Sequence, residues 1–212
     1  MSKFKVAIFD YDGVICDSVF VKTEAFRELY RDYDKDKLDI IETYHLRNGG
    51  ISRYEKIKHF ERIFFNREIS ESKLNMLADR FAHLVFQKVV NSPFLPGVID
   101  FIECCRKRNI KVFICTGTPQ KEISVIVEKQ GIDDLFDGIF GSPKSKVNII
   151  EHIMSKFDFD ISEYIFFGDA ITDLEAAQAT GIRFLGLENV RTDFPGEISV
   201  IPHFENVSVD SF

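Results

Sequence analysis

Short apolar runs of strand length alternate with amphipathic stretches over most of this chain. The runs are Val6-Ala7-Ile8-Phe9, Val112-Phe113-Ile114-Cys115, Gly138-Ile139-Phe140, Tyr164-Ile165-Phe166-Phe167 and Arg183-Phe184-Leu185-Gly186-Leu187. A run that does not alternate with polar residues fits a strand covered on both faces, so the pattern predicts a parallel α/β sheet. The helices between the strands have readable ends. Residues 96–108 are periodic and stop at Asn109, and residues 119–130 stop at Gly131, a glycine suited to the left-handed turn after a helix. A helix is expected over 147–156. Thr172-Asp173-Leu174-Glu175 reads as a capping box, opening a helix that ends before Gly181.

Residues 17–90 break this alternation. They hold no strand pattern, but three amphipathic ones. The first covers 19–33. The second starts at the capping box Ser52-Arg53-Tyr54-Glu55 and runs through Ile57, Phe60, Ile63 and Phe64. The third carries Leu74, Leu77, Phe81, Leu84 and Val85 at helical spacing. An all-helical unit over 17–90 therefore interrupts an α/β unit made of 1–16 and 91–212. Ser92-Pro93-Phe94-Leu95-Pro96-Gly97 reads as the returning linker.

The chain of 212 residues is long enough for such a core with an insert. Its net charge of −7 disfavours nucleic acid and anionic membrane as partners. Met1-Ser2-Lys3-Phe4-Lys5 lacks the apolar stretch of a signal peptide, and no run approaches the ~18 residues of a membrane span. Cys16, Cys104, Cys105 and Cys115 have no metal-ligand spacing and read as reduced thiols, which suits the cytoplasm. His45, His59, His83, His152 and His203 pair with no ligand partner and are expected at the surface or in packing, as core and cap packing is expected of the 22 phenylalanines.

The candidate chemistry lies where the strands end, the usual site in open parallel sheets. The first strand ends in Asp10-Tyr11-Asp12-Gly13 and the second in Thr116-Gly117-Thr118. The third is followed by Ser142-Pro143-Lys144-Ser145-Lys146, and the fourth by Gly168-Asp169-Ala170-Ile171-Thr172-Asp173. An Asp-x-Asp-Gly alone is commonly a turn, and Thr118 is expected to be the N-cap of the next helix. Together the groups suit phosphoryl transfer: one carboxylate attacks phosphorus, a second moves the proton, and a cation, a hydroxyl and a lysine hold the oxygens.

These four motifs, in this order, resemble those of the haloacid-dehalogenase superfamily, in the branch of phosphoglycolate phosphatase and β-phosphoglucomutase. The resemblance covers essentially the whole chain. It implies a Rossmann-like α/β core with an inserted helical cap at 17–90, and Mg²⁺ as cofactor. It makes Asp10 the nucleophile and a metal ligand. Asp12 becomes the general acid/base, with its backbone carbonyl on the metal. Thr116 and the Gly117 backbone hold the phosphoryl group. Asp169 binds the metal, and Asp173 binds it through water or orients the lysine. The common Lys-Pro-x-Pro form is missing. Lys146, opening its helix, is the motif lysine, with Lys144 the alternative.

Gly49-Gly50-Ile51-Ser52-Arg53 lies in the insert ahead of a helix start, with Ser52 as the expected N-cap. Helix starts favour anions, and a guanidinium grips a carboxylate or second phosphate as a fork. Gly50, Ser52 and Arg53 are therefore candidate substrate contacts. The reading is an Mg²⁺-dependent phosphatase acting on a small phosphorylated metabolite through an aspartyl-phosphate, as a monomer or homodimer. The alternatives are a sugar-phosphate mutase of the same branch and a non-catalytic binding protein on the same scaffold. Dehalogenation leaves Asp12 without an oxygen to protonate. Phosphonate cleavage, in resembling proteins, uses a cap lysine and another residue at position 12; Lys22, Lys56 and Lys58 are weakly placed candidates.

Overall fold

β1, Val6–Phe9, is four apolar residues with no exposed side chain, and it lies in the middle of the sheet. The computed structural model describes residues 4–66, 68–189 and 192–212. Met1 to Lys3, part of the segment weighed as a leader, lie outside the described residues. β1 pairs with β2 (Lys111–Pro119) on one side and β4 (Tyr164–Gly168) on the other, both parallel. β3 (Gly138–Ser142), β5 (Arg183–Leu187) and β6 (Val200–Ile201) complete a parallel sheet of order β3-β2-β1-β4-β5-β6.

Two-residue periodicity explains why the strands are apolar throughout. Ala7, Phe9, Ile114, Ile165 and Phe167 face one side, where α5 (Val98–Lys107) and α6 (Gln120–Lys129) supply Phe101, Ile102, Ile123 and Ile126. Val6, Ile8, Phe113, Tyr164 and Phe166 face the other, against Ile149, Ile150 and Ile153 of α7 (Lys146–Met154) and Ala176 and Ala177 of α8 (Ile171–Thr180). Every strand residue at the centre thus removes apolar surface from water, at about 25 cal/mol per Å².

The insert consists of α1 (Val19–Leu29), α2 (Lys35–Arg47), α3 (Arg53–Phe65) and α4 (Glu71–Val90). α2 was not distinguished in the sequence, because its only buried residues are Ile41 and His45. The insert packs on aromatic rings: Phe60 sits 5.7 Å from both Phe26 and Tyr30 and 5.4 Å from Tyr44. Its two connections to the sheet run side by side. Asp17 N donates to Pro93 O and Leu95 N to Ile15 O, both at 2.9 Å.

Two expectations about helix starts are corrected. Thr118 is not an N-cap. β2 continues through Thr116, Gly117 and Thr118 with a shift in register, and α6 opens after Pro119 with no side-chain cap. A bulge of this kind re-aims side chains, and here Thr118 turns to Asp12. The helix assigned to Thr172-Asp173-Leu174-Glu175 begins earlier, at Ile171. Asp173 Oδ2 accepts from Ala170 N at 3.1 Å, so the carboxylate satisfies the helix start from its third position. At Ser52 the hydroxyl caps α3 by accepting from Glu55 N.

Candidate active site

Asp10 is the first residue past β1, and its N–H still continues the ladder to Phe167 O at 2.9 Å. Its carboxylate is therefore fixed at the carboxyl edge of the sheet, 2 % exposed. Asp169, one residue past β4, is 4 % exposed and Asp173, on α8, is fully buried. One oxygen from each of the three lies within 4.8 Å of the other two. Gly168 makes this possible: a Cβ there would lie 2.3 Å from Asp173 Cβ. The loop bearing Asp169 is held by Asn189 Nδ2 and Thr192 Oγ1, each donating to Asp169 O at 2.7 Å.

Lys146 is the first residue of α7 and its ammonium reaches the same cluster. Its Nζ donates to Asp10 Oδ2 at 3.0 Å and contacts Asp173 Oδ1. Burial would lower the lysine, but Asp10 and Asp173 outweigh it and raise its pKa above the ordinary range, so it stays charged. Lys144 is exposed and lines an adjoining cleft between the sheet and the insert, whose wall also includes Thr116, Gly117 and Lys146. Asp173 is pushed up to about 8, first by burial and then by Asp10 and Asp169, against the pull of Lys146. Three buried carboxylates sharing one ammonium repel one another, and all offer hard oxygen donors. That donor set fits a divalent cation of the Mg²⁺ type, which relieves the repulsion.

Asp12 lies two residues from Asp10 and points elsewhere. Its Oδ1 accepts from Ser18 Oγ at 2.6 Å, and its Oδ2 from Lys22 Nζ and from Thr118 Oγ1, the latter at 3.1 Å. Lys22 also donates to Thr118 Oγ1 at 2.8 Å. Burial would raise the Asp12 carboxyl, but Lys22, Ser18 and Thr118 together hold it below the usual carboxylate range. Thr116 is 1 % exposed, at the start of the β2 irregularity.

The insert closes over these strand ends. Asp10, Asp12, Thr116, Gly117 and Asp169 line a cavity together with Lys22, His45, Gly50, Arg53 and Lys56 from the insert. Its empty space, including the part open to solvent, is about 590 Å³. The contact is close: a Cβ on Gly117 would lie 2.3 Å from Gly50 O, and Thr172 Oγ1 donates to Gly49 O at 2.6 Å. Arg53 lines the cavity but is also bound. Its guanidinium meets Glu122 of α6 at 2.5 Å and lies 4.8 Å over the Phe81 ring. Ser52 lines the other cleft, the one shared with Lys144.

The sequence matches the model of the haloacid dehalogenase-like hydrolases over residues 4–181. The chain belongs to this family. As a member of the haloacid dehalogenase-like hydrolases it is an enzyme, and its parallel sheet with helices on both faces is the family's fold. It is 22% identical to a phosphoglycolate phosphatase of Pasteurella multocida, covering 88% of this chain and 87% of that protein. It is 23% identical to a phosphorylated carbohydrates phosphatase of Thermotoga maritima, covering 84% and 82%. A crystal structure of β-phosphoglucomutase from Clostridium difficile superposes with a TM-score of 0.76 over 97% of this chain and 93% of that one, at 21% identity.

The sequence reading of this hydrolase missed Ser18, Lys22, His45 and Lys56 as lining or supporting groups. Lys22 and Lys56 were weighed only for a different reaction, and His45 only for packing. Lys22 had one available signal, since position 22 follows a motif aspartate by ten residues on a helix that starts beside it. His45 and Lys56 had none, because they meet only when α2 and α3 pack.

Proposed function

We propose that the protein is an Mg²⁺-dependent phosphatase that hydrolyses a small phosphate monoester through an aspartyl-phosphate on Asp10. The observation that carries this reading is the division between the two motif aspartates. The Asp10 carboxylate belongs to the buried cluster with Asp169, Asp173 and Lys146. The Asp12 carboxylate is turned to Ser18, Lys22 and Thr118.

Each group then has a task. An Asp10 oxygen attacks phosphorus in line, and the ester oxygen leaves. Asp12 has to enter this step protonated, against the donors that favour its carboxylate, and it delivers that proton to the ester oxygen. It is left ionised among the Ser18 hydroxyl, the Lys22 ammonium and the Thr118 hydroxyl, three donors that stabilise a carboxylate. The same carboxylate then takes a proton from the water that opens the aspartyl-phosphate. Thr116 and the Gly117 N–H hold phosphoryl oxygens, and Lys146 neutralises charge beside the nucleophile. Asp10, Asp169 and the Asp12 carbonyl would hold the metal, with Asp173 orienting Lys146. Bound there, Mg²⁺ offsets the charge between carboxylate and phosphate.

The helical insert acts as a cap that excludes bulk water and shapes the leaving-group side. Contact with substrate by Gly50, and by Arg53 alongside its Glu122 pairing, belongs to this reading; Ser52 contributes by capping the helix that carries Arg53. Four free thiols suit a cytoplasmic setting.

The test is release of inorganic phosphate from p-nitrophenyl phosphate and a panel of phosphorylated metabolites with Mg²⁺. Asp10→Asn is expected to lose at least about 10⁴-fold in kcat, roughly 5.5 kcal/mol of barrier, with an unchanged circular dichroism spectrum. EDTA is expected to abolish turnover and Mg²⁺ to restore it. Wild-type rates in the variant, or after chelation, would overturn the reading. Transfer of the phosphoryl group to a second sugar instead of water would identify a mutase.

A further inference from the structure

Tyr11 lies between the two motif aspartates, is 0 % exposed, and has no part in the mechanism above. Its main chain is the root of the turn that carries Asp12. Tyr11 N donates to Asp10 Oδ1 at 2.7 Å, and Tyr11 O accepts from Ile15 N at 3.0 Å and from Cys16 N at 2.9 Å. Gly13 N donates to Cys16 O at 2.8 Å, so residues 11–16 close on themselves.

The Tyr11 side chain ties this turn to a second place. Its hydroxyl lies 2.6 Å from Oε1 of Gln130, which follows the end of α6. The other end of that amide faces the last turn of α4: Gln130 Nε2 donates to Val89 O and to Val90 O, each at 3.3 Å. Carbonyls only accept, so the amide NH₂ faces them, Oε1 faces Tyr11, and the phenol donates. Cys16 Sγ, at the end of the turn, lies 3.9 Å from the same Nε2 and 3.7 Å from Val89 O. One amide therefore joins the residue between Asp10 and Asp12 to the end of the insert's last helix. Packing alone asks only for an aromatic ring at position 11. A buried hydroxyl is costly unless paired, and this one is paired through a group that also grips the insert. Asp12 itself takes partners from both regions: Ser18 and Lys22 where the insert begins, and Thr118 on β2. Its carboxyl is in register only while the turn and the insert keep one relative position.

We propose that Tyr11 is a positioning residue: through Gln130 it holds the Asp12 turn in register with the end of the helical insert, so that the Asp12 carboxyl meets the leaving oxygen in the closed cavity. This rests on the phosphatase reading and adds to it a side chain that touches neither substrate nor metal.

Leaving groups tell positioning from packing. An alkoxide departs only with a proton, whereas p-nitrophenolate is a stable anion that needs little help. The kcat/KM for an alkyl phosphate therefore depends on Asp12 far more than the kcat/KM for p-nitrophenyl phosphate. The alkyl ester used is the one that the metabolite panel shows to be turned over fastest with Mg²⁺. Tyr11→Phe removes one oxygen and keeps the ring. It is expected to lower kcat/KM for the alkyl ester about tenfold, the scale of a small misplacement of a catalytic group, and that for p-nitrophenyl phosphate less than about threefold. Gln130→Met breaks the link from its other end and should shift the ratio of the two the same way. The double variant should shift it no further than the larger single change, because both remove one link. Asp12→Asn gives the full shift for comparison. Rates are read well below each variant's melting temperature, so that lost stability alone leaves the ratio unchanged. A wild-type ratio in Tyr11→Phe, or additive shifts in the double variant, overturns the proposal. A wild type that hydrolyses no alkyl phosphate overturns the phosphatase reading, and this proposal with it.

Discussion

The sheet edge and the helical insert meet across one cavity and are built on opposite rules. At the sheet edge, position follows from the ladder. Asp10, Asp169 and Thr116 each sit one residue past the last regular residues of neighbouring strands, and their burial is nearly complete. In the insert, position follows from packing among helices, and the residues facing the cavity come from α1, α2, α3 and α4 and from the turn at 49–51. The sheet edge is acidic, the insert side basic and aromatic. Strands can hold carboxylates against one another because a continuous hydrogen-bond ladder fixes the backbone beneath them. A helical layer is free to vary its side chains without disturbing that ladder. On the proposed reading, bond-making falls to one region and choice of leaving group to the other.

Three substitutions sharpen or break this comparison. The largest effect is expected from Phe60→Ala, which empties the centre of the insert at a cost of about 3–5 kcal/mol. Tyr30, Tyr33, Tyr44 and Tyr54 are in the insert and only Tyr11 and Tyr164 outside it, so tyrosine fluorescence in urea reports mainly on the insert. That transition should move to lower urea ahead of the one seen by circular dichroism. Coincident transitions would mean that the two regions stand or fall together. Next is Gly117→Ala. Its Cβ would lie 2.3 Å from the Gly50 carbonyl, so the insert must back away. We expect kcat/KM to fall about 10- to 100-fold, or 1.4–2.7 kcal/mol, with little change in melting temperature. The smallest effect is expected from Thr172→Val, which removes one hydrogen bond to Gly49 O. About 1 kcal/mol is at stake, seen as a several-fold rise in KM. An unchanged KM would show that this contact does not hold the insert down.

The two regions also differed in how far the sequence exposed them. The strands were legible because each is a short apolar block, and the motif residues because they follow those blocks directly. Among the described strands only β6, two residues long, escaped notice. Thr118 was misjudged for a local reason: Thr-Pro before a helix looks like a cap, and nothing in the sequence announces that the strand bulges and carries on. The start of α8 was displaced because Asp173 serves both the helix start and Lys146, whereas Thr172 reaches across to the insert. In the insert, amphipathic periodicity marked α1, α3 and α4, but α2 buries too little to show a stripe. The Lys56–His45 contact joins residues eleven apart in sequence on two different helices, and no pattern along one helix encodes it.

The paired linkers have a consequence for the history of such a chain. Cys16 and Phe94 form an antiparallel bridge, so the chain leaves the sheet and returns to it at neighbouring points. Seventy-odd residues therefore depart through a doorway about one strand spacing wide, ~5 Å. To the sheet, the whole excursion is a long loop, and lengthening a loop adds little entropic cost. A gene encoding this sheet could exchange one excursion for another, provided the new one starts and ends side by side. Selectivity could then drift by replacement of a whole part while the strand-end carboxylates stayed in place.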